Sequence, residues 1–399
     1  LYTSLDQKKQ KKLQAAIDSG LAYNKEKSAD GSKYALQGAA VCVDNNTNYV
    51  VAVVGGRGTK DAYNRAYLSA RQSGSSIKPL IDYAPGFESG KFSPSTVVND
   101  HAITNGPQNA GGGYRGNVHI REAVARSINT IAWQVLEAIT PEYGLSFLDK
   151  MHFHNLSYVD NGNMALSLGG FTEGVRVVDM AKGYAALANN GEYSDRTCIK
   201  KISHVSDGVI YKDAEEKTQV YSKGAAWMMT DVLKGVFDES YGTARALKLN
   251  GGQITAGKTG TTNNHSDAWF MGVSPHLVVG AWVGGEYRCI HFRTGALGQG
   301  SRTALPICGY FLQSVLADPA FAKYRGKFQK PNGIDVDMSM YECQYTSARR
   351  DTAAVDSVKT VDALILVDEN GNPIHHKTSP ASVLDEKKEE GEDVTLDNL

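Results

Sequence analysis

The chain has 399 residues, 41% hydrophobic and 21% charged, which suits two or three domains around a large buried core. A net charge of −1 and a pI near 6.9 argue against a nucleic-acid partner, which calls for a basic face, and no apolar run approaches the roughly 20 residues of a membrane-spanning helix. The five cysteines (Cys42, Cys198, Cys289, Cys308, Cys343) include no close-spaced pair, which excludes a zinc ribbon or a Cys-x-x-Cys redox site.

In chain order, Leu5–Tyr23 has the period of an amphipathic helix, with Leu5, Leu13, Ile17 and Leu21 on one face. Its basic cluster, Lys8-Lys9-Gln10-Lys11-Lys12, reads as a solvated face. The apolar runs Gln37–Val43 and Tyr49–Val54 flank Asp44-Asn45-Asn46-Thr47-Asn48, a hairpin signal. Ser75–Glu88 reads as a helix start, with Pro79 tolerable only in the first turn. Residues 89–117, rich in Gly, Pro and Asn, read as an irregular excursion, with Gly111–Gly113 as a flexible loop. Ile120–Ser127 and Thr130–Ile139 are helical in pattern, and Val175–Asn190 is an amphipathic helix closed by Gly191. Ser222 caps another, reaching Phe237. The period then changes: Gln253–Gly260, Ala268–Val273 and Leu277–Val283 are strand-like, and Thr262–Ser266 turns between the first two. Strands at both ends of a helical middle indicate an α+β organisation. After about Lys327 the signal weakens. Asn332–Tyr345 and Val361–Val367 are candidate small strands, and the polar, acidic 376–399 segment reads as disordered. The expected division is 1–326, 327–375 and 376–399.

Three short motifs carry the chemistry. Ser75-Ser76-Ile77-Lys78 places a serine and a lysine one helical turn apart on one face. A serine hydroxyl is a weak nucleophile until a base takes its proton, and a buried lysine kept neutral can be that base. Ser127-Ile128-Asn129 and Lys258-Thr259-Gly260 follow in order, each type of motif occurring once. Taken singly, Ser-x-x-Lys is a helix cap with a solvated lysine and Ser-x-Asn a turn; the ordered set is what carries weight. Gly252–Thr259 also matches the phosphate-binding pattern G-x-x-x-x-G-K-[ST]. That reading needs a helix immediately afterwards, and here another strand follows. The pairs His152/His154 and His375/His376 lack the spacing of metal ligands, so no metal and no organic cofactor is expected.

The set Ser-x-x-Lys, Ser-x-Asn, Lys-Thr-Gly is shared by penicillin-binding proteins and serine β-lactamases. The block Arg71–Pro79 resembles the Arg-Gln-x-Gly-Ser-x-x-Lys-Pro signature of class A penicillin-binding proteins, with Ser73 where proline is usual. Val53–Arg57, Asn64-Arg65-Ala66, Leu168-Gly169-Gly170, Lys258–Thr262, Asp267–Phe270 and Gly280–Gly284 are similar to the same family, over about Leu1 to Leu316. The resemblance implies a penicillin-binding transpeptidase fold: an antiparallel sheet with helices on both faces, an all-helical subregion and here a small C-terminal extension.

It further implies a serine D,D-transpeptidase that cross-links peptidoglycan. Ser75 is the expected nucleophile and Lys78 its base, with Lys258 as a second cation that lowers the Lys78 pKa. Ser127 is the expected proton relay, and Asn129 an amide holding substrate backbone and Lys78. Lys258, Thr259 and Thr261 are expected to bind the terminal carboxylate of a D-Ala-D-Ala stem peptide, Gly260 to let the substrate backbone approach, and Trp269 to wall the cleft or pack in the core. The Ser75 and Thr261 backbone N–H groups are the expected oxyanion hole. Donor and acceptor stem peptides are the expected partners, and β-lactams the expected covalent inhibitors. A membrane anchor and a glycosyltransferase domain, both absent from this sequence, are expected in the full-length protein, at the outer face of the bacterial cytoplasmic membrane. Within the same chemistry the alternatives are a D,D-carboxypeptidase and a β-lactam-sensing domain. No Glu-x-x-Leu-Asn string is present to supply a β-lactamase's deacylating glutamate.

Overall fold

The helices begin and end where local chemistry directs. In the computed structural model, which describes residues 1–334 except 30, 59, 60, 246 and 248–255 plus the backbone of 360–361, α1 spans Gln7–Gly20 and is capped by Asp6, which accepts the Lys9 N–H. After α2 (Ala84–Glu88) come α3 (Ile120–Arg126), α4 (Asn129–Ile139), α5 (Pro141–Lys150), α6 (Val177–Ala188), α7 (Lys223–Asp238) and α8 (Ala304–Ala317). Ser222 caps α7 by accepting the Ala225 N–H at 3.2 Å. Gly191 follows α6 at φ +84°, the left-handed conformation that costs glycine least.

The basic cluster on α1 is not simply a solvated face. Lys9 is buried, its ammonium 4.2 Å from the Phe321 ring centroid and 4.6 Å from that of Tyr324. Lys12 donates to Ser314 O at 3.0 Å. Only Lys8 and Lys11 are exposed. Position on the helix, which composition does not convey, decides between the two pairs.

The central sheet contains β1 (Leu36–Asp44), β2 (Val50–Val54), β3 (Ala256–Thr261), β4 (Asp267–Val273) and β5 (Leu277–Gly285), in the spatial order β3-β4-β5-β1-β2 and antiparallel throughout. Both faces are buried. Ala39, Val41 and Val43 belong to one apolar cluster, Ala40 and Cys42 to the other, the two-residue alternation of a strand sandwiched between layers. Leu13 and Ile17 of α1 and Phe311 and Leu312 of α8 cover one face. Met180, Ala181 and Tyr184 of α6 cover the other and join it to the helical region of α2–α5 and α7. The α+β architecture is the expected one.

Residues 89–117 depart from expectation. They contain the strand Val97–Asp100 and the start of Gly116–His119, paired antiparallel, and Thr360–Val361 adds in parallel to Val97–Val98. The irregular part is 101–115, where Gly111, Gly112 and Gly113 all have φ between +74° and +82°. The remainder of the 335–399 segment lies outside the described residues. Cys42, Cys198, Cys289 and Cys308 are free thiols.

Candidate active site

The nucleophile segment is not one regular helix. A 3-10 turn covers Gly74–Ser76, a π turn covers Pro79–Tyr83, and only then does α2 begin. Two prolines explain this. Pro79 and Pro85 lack N–H groups, so the carbonyls that would bond to them need other partners. Ala84 N reaches back five residues to Pro79 O, which leaves Leu80 O to accept from the Tyr221 hydroxyl at 2.7 Å. Tyr184 likewise donates to Ser76 O at 2.6 Å. Both tyrosines are fully buried and brace the turn from behind.

The Ser-Ile-Asn motif sits at the junction of α3 and α4. Ser127 ends α3 at φ +61° and ψ +40°, a left-handed conformation that a residue with a Cβ adopts at a cost of about 1–2 kcal/mol. This reversal turns the Ser127 hydroxyl toward β3 and two carbonyls toward the nucleophile segment. Lys78 Nζ donates to Ser127 O at 3.1 Å, Ile128 O at 3.2 Å and Asn129 Oδ1 at 2.8 Å. Lys258 Nζ donates to Ser127 Oγ at 2.7 Å and to Thr259 O at 3.1 Å. Lys78, Ser127, Asn129 and Lys258 therefore form one connected cluster, with both lysines fully buried and Ser75, Ser127 and Asn129 half-buried.

Ser75 Oγ makes no hydrogen bond among the described residues. The three acceptors around Lys78 match the three protons of an ammonium, so the amine must release one of them to accept a proton from Ser75. Burial favours that release, because it pushes the Lys78 pKa down from 10.5 to about 7; the Asp82 carboxyl pulls it the other way. Burial first, and then the charge of Lys78, push Lys258 well below the ordinary lysine range. The sequence expectation named the second cation; burial adds a larger cause. Desolvation is the leading cause at Lys78, and each buried ammonium disfavours the charge of the other. Asp82 is itself fully buried, with neither carboxyl oxygen hydrogen-bonded among the described residues, and burial drives its pKa well up.

The strand motif meets the nucleophile turn at an open sheet edge. Thr262 N bonds to Asp267 O at 3.1 Å, directly opposite in the β3–β4 register. Antiparallel alternation then makes Gly260 and Lys258 the bonded partners of β4 and turns the N–H groups of Thr261 and Thr259 outward. At that edge Gly74 lies against Thr261: a Cβ built on it would be 2.6 Å from Thr261 O and 2.8 Å from Thr261 N. The 3-10 turn bonds run from Ser76 N to Ser73 O and from Ile77 N to Gly74 O, leaving the Ser75 N–H without an acceptor among the described residues. The Ser75 and Thr261 N–H groups thus flank one glycine.

One recognition residue stands differently from expectation, and the others meet partners within the protein. Gly260 admits not open space but the nucleophile turn, since a Cβ there would be 2.4 Å from Ser73 O. Trp269 is fully buried, and its indole donates to Gln72 O at 2.8 Å. It therefore packs in the core, one of its two expected places, and braces Gln72, three residues before Ser75. Lys258 Nζ is buried, held by Ser127 Oγ at 2.7 Å and by Thr259 O at 3.1 Å. Thr259 Oγ1 donates to Thr243 Oγ1 at 3.0 Å, and Thr261 Oγ1 accepts from Gly300 N at 3.0 Å.

Residues that no motif flagged complete the support. Asn109 Oδ1 accepts from Asn129 N at 2.9 Å and Thr130 N at 3.3 Å, capping α4 from 20 residues away. Asp100 holds Asn109 Nδ2 at 2.8 Å and Thr130 Oγ1 at 2.5 Å. Arg71 Nε donates to Asp267 Oδ1 at 2.7 Å, and the Trp282 indole to the same oxygen at 2.9 Å. The phosphate-loop pattern fails on structure: Lys258 and Thr259 lie within β3, and only a broken 3-10 turn at Asn263–His265 separates it from β4. His152 and His154 pair with Asp195 and Asp179, and no metal-binding group of three or more ligands occurs among the described residues.

Comparison with known proteins agrees with this geometry. Residues 38–280 match the family described as the penicillin-binding protein transpeptidase domain. Penicillin-binding protein 4 of Bacillus subtilis is 32% identical over 289 residues, 71% of this chain and 44% of that protein. Penicillin-binding protein 1A of Clostridium botulinum is 31% identical over 302 residues, 72% of this chain and 36% of that protein. The chain therefore spans less than half the length of these relatives. The fold matches a crystal structure of penicillin-binding protein 1A from Haemophilus influenzae, at a TM-score of 0.70 and 20% identity over 83% of this chain and 68% of that one. It matches PonA1 from Mycobacterium tuberculosis in complex with penicillin V equally, at 0.70 and 22% identity over 84% and 89%. With the motif cluster assembled, the domain matched over most of its sheet and the fold shared with these structures, the chain belongs to the penicillin-binding protein transpeptidase family.

Proposed function

We propose that this chain is a serine D,D-transpeptidase acting on peptidoglycan stem peptides. The observation that carries the reading is the linked cluster of Lys78, Ser127, Asn129 and Lys258 beside Ser75, facing an unpaired sheet edge. Ser75 Oγ attacks the carbonyl of the penultimate D-Ala, and Lys78 in its free-base form takes the hydroxyl proton. The oxyanion is held by the Ser75 and Thr261 N–H groups. Ser127, bridged to Lys258, passes a proton to the nitrogen of the terminal D-Ala as the peptide bond breaks. An amine from a second stem peptide then attacks the acyl-enzyme, forms the cross-link and regenerates Ser75. The extended donor lies along the outward-facing edge of β3, using the backbone groups of Thr259 and Thr261.

β-Lactams resemble the donor and acylate Ser75, opening the ring without a departing fragment. In the longer protein we infer a membrane anchor and a glycosyltransferase domain that place this activity at the outer face of the cytoplasmic membrane. Among the described residues no helix is long and apolar enough to cross a membrane. The test is intact-mass analysis after incubation with benzylpenicillin. One penicilloyl group on Ser75 is expected, and none in Ser75→Ala; persistent labelling of that variant refutes the assignment. Incubating a stem-peptide analogue with and without an acceptor amine separates transfer from hydrolysis by a carboxypeptidase, and D-Ala release separates both from a sensor.

A further inference from the structure

The recognition strand commits one hydroxyl proton that its motif would leave for a ligand. Thr259 Oγ1 is the donor to Thr243 Oγ1 at 3.0 Å, so the Thr259 proton is spent inside the protein. A hydroxyl that accepts one bond keeps its own proton to give, and Thr243 Oγ1 donates to no acceptor among the described residues. Thr243 is held firmly. Its N–H bonds to Ala125 O at 3.2 Å, two residues before Ser127, and Ala244 N bonds to Val236 O at 3.0 Å. Gly242 allows this seat, because a Cβ there would be 2.3 Å from Val236 O. Thr243 is half-buried between the Ser127 turn and β3. On the same face of β3, Thr261 Oγ1 accepts from Gly300 N and likewise retains its proton, while the Thr261 N–H faces the open edge. The two hydroxyls have no carboxylate among their partners, a setting suited to an anion beside the oxyanion hole.

We propose that Thr243 is a substrate-contacting specificity residue whose hydroxyl, with that of Thr261, receives the free carboxylate of the donor. Thr259 acts one bond behind, orienting Thr243. The inference rests on the transpeptidase reading and refines its carboxylate site.

Second-order acylation constants for benzylpenicillin and for its methyl ester, which lacks the anionic carboxylate, test it in the wild-type chain, Thr243→Val and Thr243→Ser. Losing a hydrogen bond to a charged group costs about 10- to 100-fold. Thr243→Val should lose that factor with benzylpenicillin and change less than about twofold with the ester, while Thr243→Ser retains the wild-type preference for the acid. An unchanged benzylpenicillin constant in Thr243→Val overturns the proposal, as does an equal loss with both probes, which marks a purely structural role. If the wild-type chain itself forms no Ser75 adduct, the transpeptidase reading fails first, and this inference with it.

Discussion

Lys78 shows how a single side chain acquires a chemical role from burial. In water its amine is an ammonium up to pH 10.5; in its sealed position burial brings the transition to about 7. A base must be neutral to accept a proton, so the sign is fixed: acylation rises as pH increases through the Lys78 transition. Acylation of Ser75 by benzylpenicillin, measured from pH 5 to 9, should show an acid limb with an apparent pKa of about 7. A rate still climbing steeply at pH 9 contradicts a lowered Lys78. At this scale the motif residues were legible, because Ser-x-x-Lys, Ser-x-Asn and Lys-Thr-Gly are short patterns with fixed chemistry. The roles of Thr243, Asn109 and Asp100 were not. Each acts through a contact with a residue 16 to 30 positions away, and no local spacing encodes that.

At the level of elements, the nucleophile turn and β3 are fitted by two glycines on opposite sides of one contact. Gly74 takes φ +53° against Thr261, and Gly260 lies against Ser73. Gly260→Ala places a methyl 2.4 Å from a backbone carbonyl that has no flexible end to move. Overpacking of this kind costs about 1–3 kcal/mol, and here the yielding part carries Ser75. Calorimetry should show a modest fall in Tm, while benzylpenicillin acylation falls by about 100-fold or more. Stability and acylation declining only in proportion would argue that the contact does not position the nucleophile. The sequence pointed to a glycine for substrate access. It could not say which backbone approaches, because periodicity places a side chain on a face without naming its neighbour. The same limit hid the 3-10 and π turns behind what read as one helix start.

Over the whole molecule, the sheet and its helical layers were readable because β1, β2, β4 and β5 are apolar runs bounded by turns, β3 carries its motif, and α1, α5 and α7 carry side-chain caps. What joins the halves was not. Arg71 and Asp267 are 196 residues apart in sequence, yet their 2.7 Å ion pair ties the approach to Ser75 to the β3–β4 turn. Asp267 is fully buried and also holds the Trp282 indole. Asp267→Asn leaves the Arg71 guanidinium without its counter-charge, and breaking a buried pair in this way costs about 3–5 kcal/mol. Chemical denaturation should show that loss; a variant within about 1 kcal/mol of wild type would reduce the pair to a surface contact. The unpaired margin of β3 has a further consequence. A bare strand border invites any extended backbone, including that of another copy, and proteins commonly blunt such borders. Here the blunting is done by the catalytic parts themselves: Gly74 crowds the rim at Thr261, and Gly300 sits over the Gly260–Trp269 rung. The crevice that admits a peptide is thus the remnant of a docking edge, kept too short and too crowded for sheets to join.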